Sequence, residues 1–355
     1  MKSILVSLSL FMCTSLLAQT KVVKKNAVKA NDYGVSYSLP KTSLVVEANY
    51  TKCTWKAGPY YQYAQKYLGV SDVITKDKVF YKLKNVGLDN VGIPDTDNSY
   101  LVTFKAGTVA PYVYLTEEGL MCAVNTTYED TLGRQAKKEK KADKGASVSK
   151  QSVLSEELLM AGSLAKQAEV AAKQIYRIRE SRLNILTGEA DNVPPDGQAM
   201  KLVIEQLEAQ EKALTNLFVG TKAEEPMAMD FTIMPVDGFD KNVLFRFSEA
   251  LGVVDADDLS GEPIYMSLVV TERAPMLDEK EAAKKAKSMK GLIYNVPGKA
   301  AITIEKNKET LFSGDVLITQ FGTQESLAPE LFEDKKVPVK ITFYPETGSI
   351  KQIMQ

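Results

Sequence analysis

Few side chains in this chain have the types and spacing that catalysis requires. Ser163 and Lys166 have the Ser-x-x-Lys spacing of some serine acyl enzymes, in which the lysine activates the serine hydroxyl. The companion Ser-Asp-Asn and Lys-Thr-Gly motifs are absent from the chain. Because both residues lie in an alanine-rich stretch with helical spacing, we interpret the pair as part of a helix surface.

Acidic clusters are the second group that could do chemistry. One contains Asp95, Asp97 and Asn98, and the other spans residues 255–262. Loop carboxylates can bind Ca²⁺, and two facing carboxylates can hydrolyse a glycoside. Neither cluster has the EF-hand spacing, and such clusters are usually solvated turns. We predict no metal site and no catalytic residue, and a carboxylate-dependent hydrolase stays an alternative.

The composition excludes several classes of function. The chain contains no histidine, which removes Ser-His-Asp and Cys-His catalysis, histidine metal ligands and histidine pH switches. There is no Gly-Lys-Ser or Gly-Lys-Thr phosphate loop and no dinucleotide fingerprint. Lysine and arginine total 44 against 45 acidic residues, so the basic excess of a nucleic-acid-binding protein is missing. We therefore predict no cofactor and no nucleic-acid partner.

Four tyrosines are the candidate ligand-binding residues. Tyr37 and Tyr294 occupy matching places in two similar segments, and Tyr60 and Tyr61 belong to a stretch whose Tyr and Leu spacing predicts a short helix. An aromatic-lined groove in a β domain would bind a glycan or a peptide. Tyrosines in such segments more often pack against the protein with the hydroxyl group hydrogen-bonded. Glycan or peptide binding is therefore kept as an alternative function.

The N-terminus has the features of an export signal. Lys2 supplies a positive start, residues 4–17 are largely apolar, and cleavage is expected near Ala18. The apolar run is shorter than the roughly 20 residues that span a bilayer, and no later segment is long and apolar enough. A lipoprotein signal ending at Cys13 fits less well. We predict a periplasmic, outer-membrane-associated or secreted protein without a transmembrane segment after cleavage.

Two cysteines remain after the predicted cleavage. Cys53 and Cys122 both lie in stretches with strand-like composition. In an oxidising compartment the two thiols could form a disulfide. Strand cysteines are also commonly buried and unpaired, so both alternatives stay open.

Hydrophobic periodicity divides the rest of the chain into four regions. Residues 30–132 have strand-like runs and dense turn signals, which predict a mostly antiparallel β domain. Residues 133–151 form a charged linker. Residues 152–220 have apolar side chains at steps of three and four on both sides of a polar turn, which predicts a long αα-hairpin. Residues 225–355 predict a second β domain. The expected fold class is therefore α+β.

The turn between the two predicted helices is the most distinctive stretch. It contains two prolines and several charges, which suit either a contact point at the end of a long lever or a solvated helix reversal. The candidate interaction tip consists of Arg182, Asp191, Asn192, Pro194 and Asp196.

Two segments of the predicted β domains resemble each other. Each reads Gly, two residues, Tyr, two residues, Pro, and then a run ending in Glu; the residues are Gly34, Tyr37, Pro40 and Glu47, and Gly291, Tyr294, Pro297 and Glu305. Later in each region, an acidic segment before Gly119 or Gly348 predicts a hairpin turn with glycine at positive φ. The shared order suggests an internal duplication.

Three segments carry a family resemblance. The signal ends in LLAQ, the turn GEADNVPPDG precedes a helix ending in EKALTNLFVG, and the chain closes with LFEDKKVPVKITFYPETGSIKQI. Together they resemble a secreted family of Bacteroidota that is known only as a domain of unknown function. The resemblance covers nearly all of the mature chain and implies an envelope location. Bacteroidota envelope proteins also resemble one another in an O-glycosylation signal that Asp130–Leu132 fits, which implies Thr131 as a glycan site.

These observations favour an exported, non-catalytic interaction or assembly module of the cell envelope. It would have two β domains, a projecting helical hairpin and one or more envelope protein partners. The alternatives are a glycan- or peptide-binding protein that uses a β-domain groove, and the carboxylate-dependent hydrolase.

Overall fold

The chain folds mainly into antiparallel strands with a smaller share of helix, which confirms the α+β class. A computed structural model describes residues 21–24, 34–103, 113–128, 156–190, 197–332 and 339–354.

Three sheets contain all of the strands in the described residues. In chain order the strands are β1 (Lys21–Lys24), β2 (Val35–Lys56), β3 (Lys78–Thr103), β4 (Val113–Leu115), β5 (Met121–Val124), β6 (Thr221–Ile233), β7 (Asn242–Ser248), β8 (Gly252–Val254), β9 (Glu262–Glu272), β10 (Leu292–Lys306), β11 (Glu309–Leu327), β12 (Lys340–Tyr344) and β13 (Ser349–Met354). Sheet 1 has the order β1-β3-β2-β6, sheet 2 has β11-β10-β9-β7-β8, and sheet 3 has β13-β12-β5-β4.

Five helices lie in the described residues. They are α1 (Ala64–Leu68), α2 (Glu156–Met160), α3 (Leu164–Thr187), α4 (Gly197–Val219) and α5 (Glu279–Ser288). A 3₁₀ turn at Tyr61–Tyr63 leads into α1, in the tyrosine-rich stretch. In α5, the Asp278 side chain accepts a hydrogen bond from the Glu281 N–H at 2.7 Å, and the Glu281 carboxylate accepts one from the Asp278 N–H. This capping box starts a helix that buries no residue.

Sheets 1 and 2 pack face to face around the largest core. Alternate residues of β2 and β10 point inward, as the period of a strand requires. Core members from the two sheets include Leu44, Val46, Phe245, Ile302 and Ile304, each fully buried. Burying one such side chain stabilises the fold by about 1.5–3 kcal/mol, so this layer holds the two sheets together.

Sheet 3 closes one end of this sandwich. A second core combines Tyr37 and Tyr100 from sheet 1 and Ile293 from sheet 2 with Ile341 and Phe343 from sheet 3. Sheet 3 itself joins β4 and β5, which precede α2, α3 and α4 in the chain, to β12 and β13, which follow them. In sheet 1, β6 likewise pairs with β2 along residues 44–56. Strands from both sides of the helical region therefore share two of the three sheets.

Corresponding irregularities occur in the two long strand pairs. The β2–β3 register shifts between Ser38 and Pro40, and the β10–β11 register shifts between Val296 and Gly298, on either side of Pro297. A proline cannot donate to a strand ladder, so a bulge is the expected place for it. Next to each bulge, a strand N–H donates to the carbonyl of a turn glycine: Ser38 to Gly119 at 3.0 Å, and Asn295 to Gly348 at 3.1 Å.

Candidate interaction surface

The two longest helices, α3 and α4, contact each other and are here called the arm. Its base contains residues 164–175 and 214–219, and its outer half contains residues 176–187 and 197–213. At 1.5 Å per residue, α3 is about 36 Å long. Of the described residues in the arm, only those of the base are buried, and they are Ala168, Val170, Ala171, Ala172, Ile175, Leu214 and Phe218.

The base is attached to the β sandwich through the tyrosine-rich stretch. The Tyr60 ring packs against Phe218 with 5.4 Å between ring centroids, and the Tyr60 N–H donates to the Leu217 carbonyl at 2.8 Å. Ala64 adds a small buried side chain to the same core. Gly58 is needed here because a Cβ at this position would collide with the Leu217 carbonyl. The small residues of α3 and this glycine together allow close approach.

The Ser-x-x-Lys pair starts the first arm helix. Ser163 has an extended backbone, and its hydroxyl accepts a hydrogen bond from the Lys166 N–H at 3.2 Å, as an N-cap residue does. The Lys166 ammonium forms an ion pair with Glu169 at 3.2 Å instead of approaching the serine. The spacing therefore serves helix initiation. At the other end, Gly188 stops α3 with φ of 77°, a left-handed conformation that favours glycine.

Ion pairs hold the outer half together. The Glu211 carboxylate accepts from the Arg179 Nε at 2.6 Å and lies 2.9 Å from an Arg182 nitrogen, and Arg182 also lies 3.7 Å from Glu208. Glu211 is the most buried of these groups, with 15% of its side chain exposed. Arg182, one of the predicted tip residues, thus links the two helices across their interface.

Apolar side chains project from the same outer half. Leu183, Leu186 and Leu202 are each 58–59% exposed. Tyr176 is 49% exposed, but its hydroxyl donates a hydrogen bond to the Tyr67 carbonyl at 2.7 Å, so this side chain already has a partner within the protein. These three exposed leucines of the outer half are the residues that we treat as the candidate interaction surface.

The other predicted tip residues, Asp191, Asn192, Pro194 and Asp196, lie outside the described residues. The same holds for Thr131, the glycan site that the resemblance implies, and for the export signal and the whole charged linker.

The four predicted ligand-binding tyrosines occupy two places. Tyr37 is 1% exposed, and its hydroxyl accepts from the Ile293 N–H at 3.0 Å and donates to the Ile293 carbonyl at 3.1 Å. Burial raises the pKa of Tyr37 far above its usual value. Tyr294 is half-buried and directly follows Ile293 in β10. Its burial, and to a smaller extent the nearby negative charge of Glu325, raises its pKa. Tyr60 and Tyr61 lie at the base of the arm, where Tyr60 is buried and Tyr61 is partly exposed.

A polar seam joins sheets 1 and 2 near Tyr37, and sequence reasoning missed most of it. Thr42 of β2 exchanges hydrogen bonds with Thr319 of β11, its N–H donating at 3.0 Å and its hydroxyl accepting from the Thr319 N–H at 3.0 Å. The Gln320 amide donates to the Thr42 carbonyl at 2.7 Å. The sequence does not show which strand a threonine or glutamine side chain faces, because only the tertiary packing of the sheets brings these residues together.

Asp95 lies beside this polar seam. Its carboxylate is 2.8 Å from the Lys41 ammonium and accepts from the Asn98 amide at 2.7 Å. Burial opposes ionisation, but the hydrogen bonds from Lys41, Asn98 and the Asp97 N–H outweigh it and hold the pKa of Asp95 below its usual value. A cavity of about 160 Å³ lies beside it. Asp95 is the one buried carboxylate among the described residues, and its partners are a lysine and an amide, not a second carboxylate.

Cys53 and Cys122 are both buried, and neither belongs to a disulfide. Cys53 lies in β2 of sheet 1 and Cys122 in β5 of sheet 3, so the structure does not contain the disulfide that the sequence allows. Across the described part of the chain, no three Cys, Asp or Glu side chains are placed to hold a metal ion. In the same residues, no helix has the length and apolar character needed to cross a membrane.

Comparison with known proteins gives one match. No curated protein and no solved structure matches this chain. A family of proteins is matched over residues 33–351, a range that includes the whole arm and nearly all of the three sheets. The match begins just before β2 and leaves out the predicted export signal. The chain therefore belongs to the family described as Domain of unknown function (DUF4831).

Proposed function

We propose that this protein is an exported, non-catalytic interaction module of the cell envelope, and that the outer half of the arm contacts a protein partner. The observation that carries the proposal is the placement of Leu183, Leu186 and Leu202. Each is more than half exposed, and none belongs to any of the three cores. Exposed apolar side chains grouped on a projection mark interaction sites more often than isolated ones do.

The construction of the arm supports the same function. Because the arm buries residues only at its base, its outer turns contribute little to the stability of the fold. Those turns are nevertheless held in register by the Arg179, Glu211 and Arg182 ion pairs. Keeping two exposed helices aligned has value when their outer surface must present a fixed shape to a partner, since a preformed surface loses less entropy on binding.

We also infer that the two arm helices form a projecting hairpin that separates two β regions in the sequence. We infer that the β regions arose by internal duplication, which is supported by the bulges that immediately precede Pro40 and contain Pro297. It is also supported by the matching hydrogen bonds to Gly119 and Gly348. Export through the N-terminal signal would place the arm in the envelope.

Site-specific photo-crosslinking tests the proposed contact. A photoreactive amino acid replaces Leu186 in the full chain, in cells that make the protein. The matched control carries the same residue at Leu259, which is 81% exposed but lies in a loop outside the arm. We expect irradiation to give a discrete crosslinked species from position 186 and none from position 259.

Two outcomes would contradict the proposal. Equal crosslinking from both positions would show that exposure alone explains the adducts. No adduct from positions 183, 186 or 202, in cells where the protein is produced and exported, would show that the leucines have no partner.

A further inference from the structure

A second surface lies at the end of sheet 1 next to the arm base. Lys78 of β3, Trp55 of β2 and Lys222 of β6 are directly opposite one another across three strands. Phe80, two residues after Lys78 along β3, lies on the same face, and its ring meets the Trp55 ring edge-on with 5.1 Å between centroids. Because alternate residues of a strand share a face, Lys82 continues this row.

Three ammonium groups are held over these two rings. The Lys78 Nζ lies 4.8 Å and the Lys82 Nζ 5.3 Å from the centre of Phe80, and the Lys222 Nζ lies 5.1 Å from the centre of Trp55. We call these five residues the lysine–aromatic patch. A cation–π contact positions an ammonium without occupying all of its N–H donors.

No carboxylate lies within ion-pair distance of these ammonium groups in the described residues. None of the three lysines forms an ion pair there, although Glu224 lies on the same face one row away. The chain as a whole has a net charge of −1, so the cluster is local. Like charges that are held close together repel, and a bound anion removes that repulsion.

A cavity of about 490 Å³ adjoins the patch. Lys222 lines it, together with Lys212, Asn216, Thr221 and Asp72. The amide of Asn216, the hydroxyl of Thr221 and the carboxylate of Asp72 are groups that hydrogen-bond sugar hydroxyls. Ile74 and Val219 add apolar surface to the lining. Lys222 thus connects a cationic surface to a cavity that has both polar and apolar walls and is large enough for a small ligand.

We propose that the patch and the cavity together bind an acidic polysaccharide that carries uronate groups. Its carboxylates would contact Lys78, Lys82 and Lys222, and the hydroxyls of one or two sugar units would enter the cavity. A bilayer is disfavoured because docking inserts apolar side chains, and here Trp55 and Phe80 are covered by lysines. A single-stranded nucleic acid needs free ring faces for base stacking, and the same lysines occupy them.

The chain contains one tryptophan, and this provides a direct probe. Oligogalacturonate is titrated into the purified mature chain while the fluorescence of Trp55 is followed, with calorimetry as a second readout. We expect a saturable change that neutral dextran fragments of matched length do not produce. Raising the salt concentration should weaken the binding because the lysines are exposed.

Two double substitutions distinguish binding at this site from general electrostatic attraction to the protein. Lys78→Gln with Lys222→Gln should weaken binding about 100-fold, since each charge-assisted hydrogen bond is worth about tenfold or more. Lys280→Gln with Lys284→Gln makes the same charge change on the exposed helix α5, and it should alter affinity less than about twofold. Asn216→Ala should weaken oligogalacturonate binding while leaving the lysines intact.

Several results would overturn the proposal. These are no binding of oligogalacturonate to the folded chain, equal weakening by both lysine pairs, and tighter binding of phosphatidylglycerol vesicles or of a single-stranded oligonucleotide than of the uronate. The melting temperature of each variant shows that it is folded, so a loss of binding reports on the site.

Discussion

The two halves of the arm are made of the same two helices but are stabilised by different interactions. The base is held by apolar contacts, with Ile175, Leu214 and Phe218 at 0–1% exposure. The outer half has no buried residue among its described positions, and ion pairs around Glu211 link its helices. Burial of an aliphatic or aromatic side chain is worth several times a partly exposed ion pair. Stability therefore resides in the base, and the outer half is available for contact.

The largest effect expected from this comparison is at Phe218. Phe218→Ala removes a fully buried ring that packs against Tyr60, so the free energy of unfolding should fall by about 3–5 kcal/mol. Urea unfolding followed by circular dichroism measures it. Leu202→Ala in the outer half is the matched control and should cost less than about 0.5 kcal/mol. Similar losses from both would remove the distinction between base and outer half.

The next largest effect on stability is expected at a charge pair in the β sandwich. Asp95 is buried beside Lys41, so Asp95→Asn should lower the free energy of unfolding at neutral pH by about 1–3 kcal/mol. The pKa of Asp95 is depressed in the fold. Its contribution is therefore present above the unfolded pKa of about 3.9 and is lost as pH falls through the lower folded pKa.

The stability of the Asp95→Asn variant should consequently depend less on pH below about 4 than that of the original chain. Urea unfolding at a series of pH values checks this, with Asp97→Asn as the control because Asp97 is exposed. An unchanged acid limb in Asp95→Asn would show that other carboxylates account for acid unfolding.

A smaller effect is expected at Glu211, where a carboxylate pairs with arginines on the more exposed part of the molecule. Glu211→Gln should reduce the free energy of unfolding by about 1 kcal/mol, and the difference should shrink at 1 M salt because charges near the surface are screened. The control is Glu205→Gln, since Glu205 has only a 3.8 Å contact with Lys201. A loss at Glu211 as large as that at Phe218 would place the stability of the arm in its ion pairs.

The smallest effect on stability is expected from the leucines of the outer half. Leu183→Ser with Leu186→Ser removes two exposed apolar side chains, so the free energy of unfolding, measured in urea, should change by no more than about 0.5 kcal/mol. The same variant should lose the proposed crosslinked species when the photoreactive residue is placed at position 202. A strongly destabilised variant would mean that the leucines pack in the free protein.

Periodicity was sufficient to predict the α+β class of the fold. Apolar residues at steps of three and four, such as Ala168, Ala172 and Ile175, are the residues that the base buries. The capping residues Ser163 and Gly188 have recognisable local functions, because a helix terminus depends on side chains close in sequence.

Strand pairing and the polar seam could not be predicted in the same way. The pairing of β2 with β6 joins residues more than 160 positions apart, and no local pattern specifies it. Asp95 was recognised as part of an acidic turn, but its burial depends on Lys41 and on the approach of β11. The lysine–aromatic patch was missed for the same reason, since Lys78, Trp55 and Lys222 meet only through sheet 1.

Hydrogen–deuterium exchange along α3 tests most directly the central claim that buried residues stabilise the arm at its base and not in its outer half. Backbone amides of residues 168–175 should exchange at least about 100-fold more slowly than those of residues 179–186, because exposed turns open locally at lower free energy than a packed core. Uniform protection along the whole helix would contradict the account, since it would show that the outer half unfolds only together with the β sandwich.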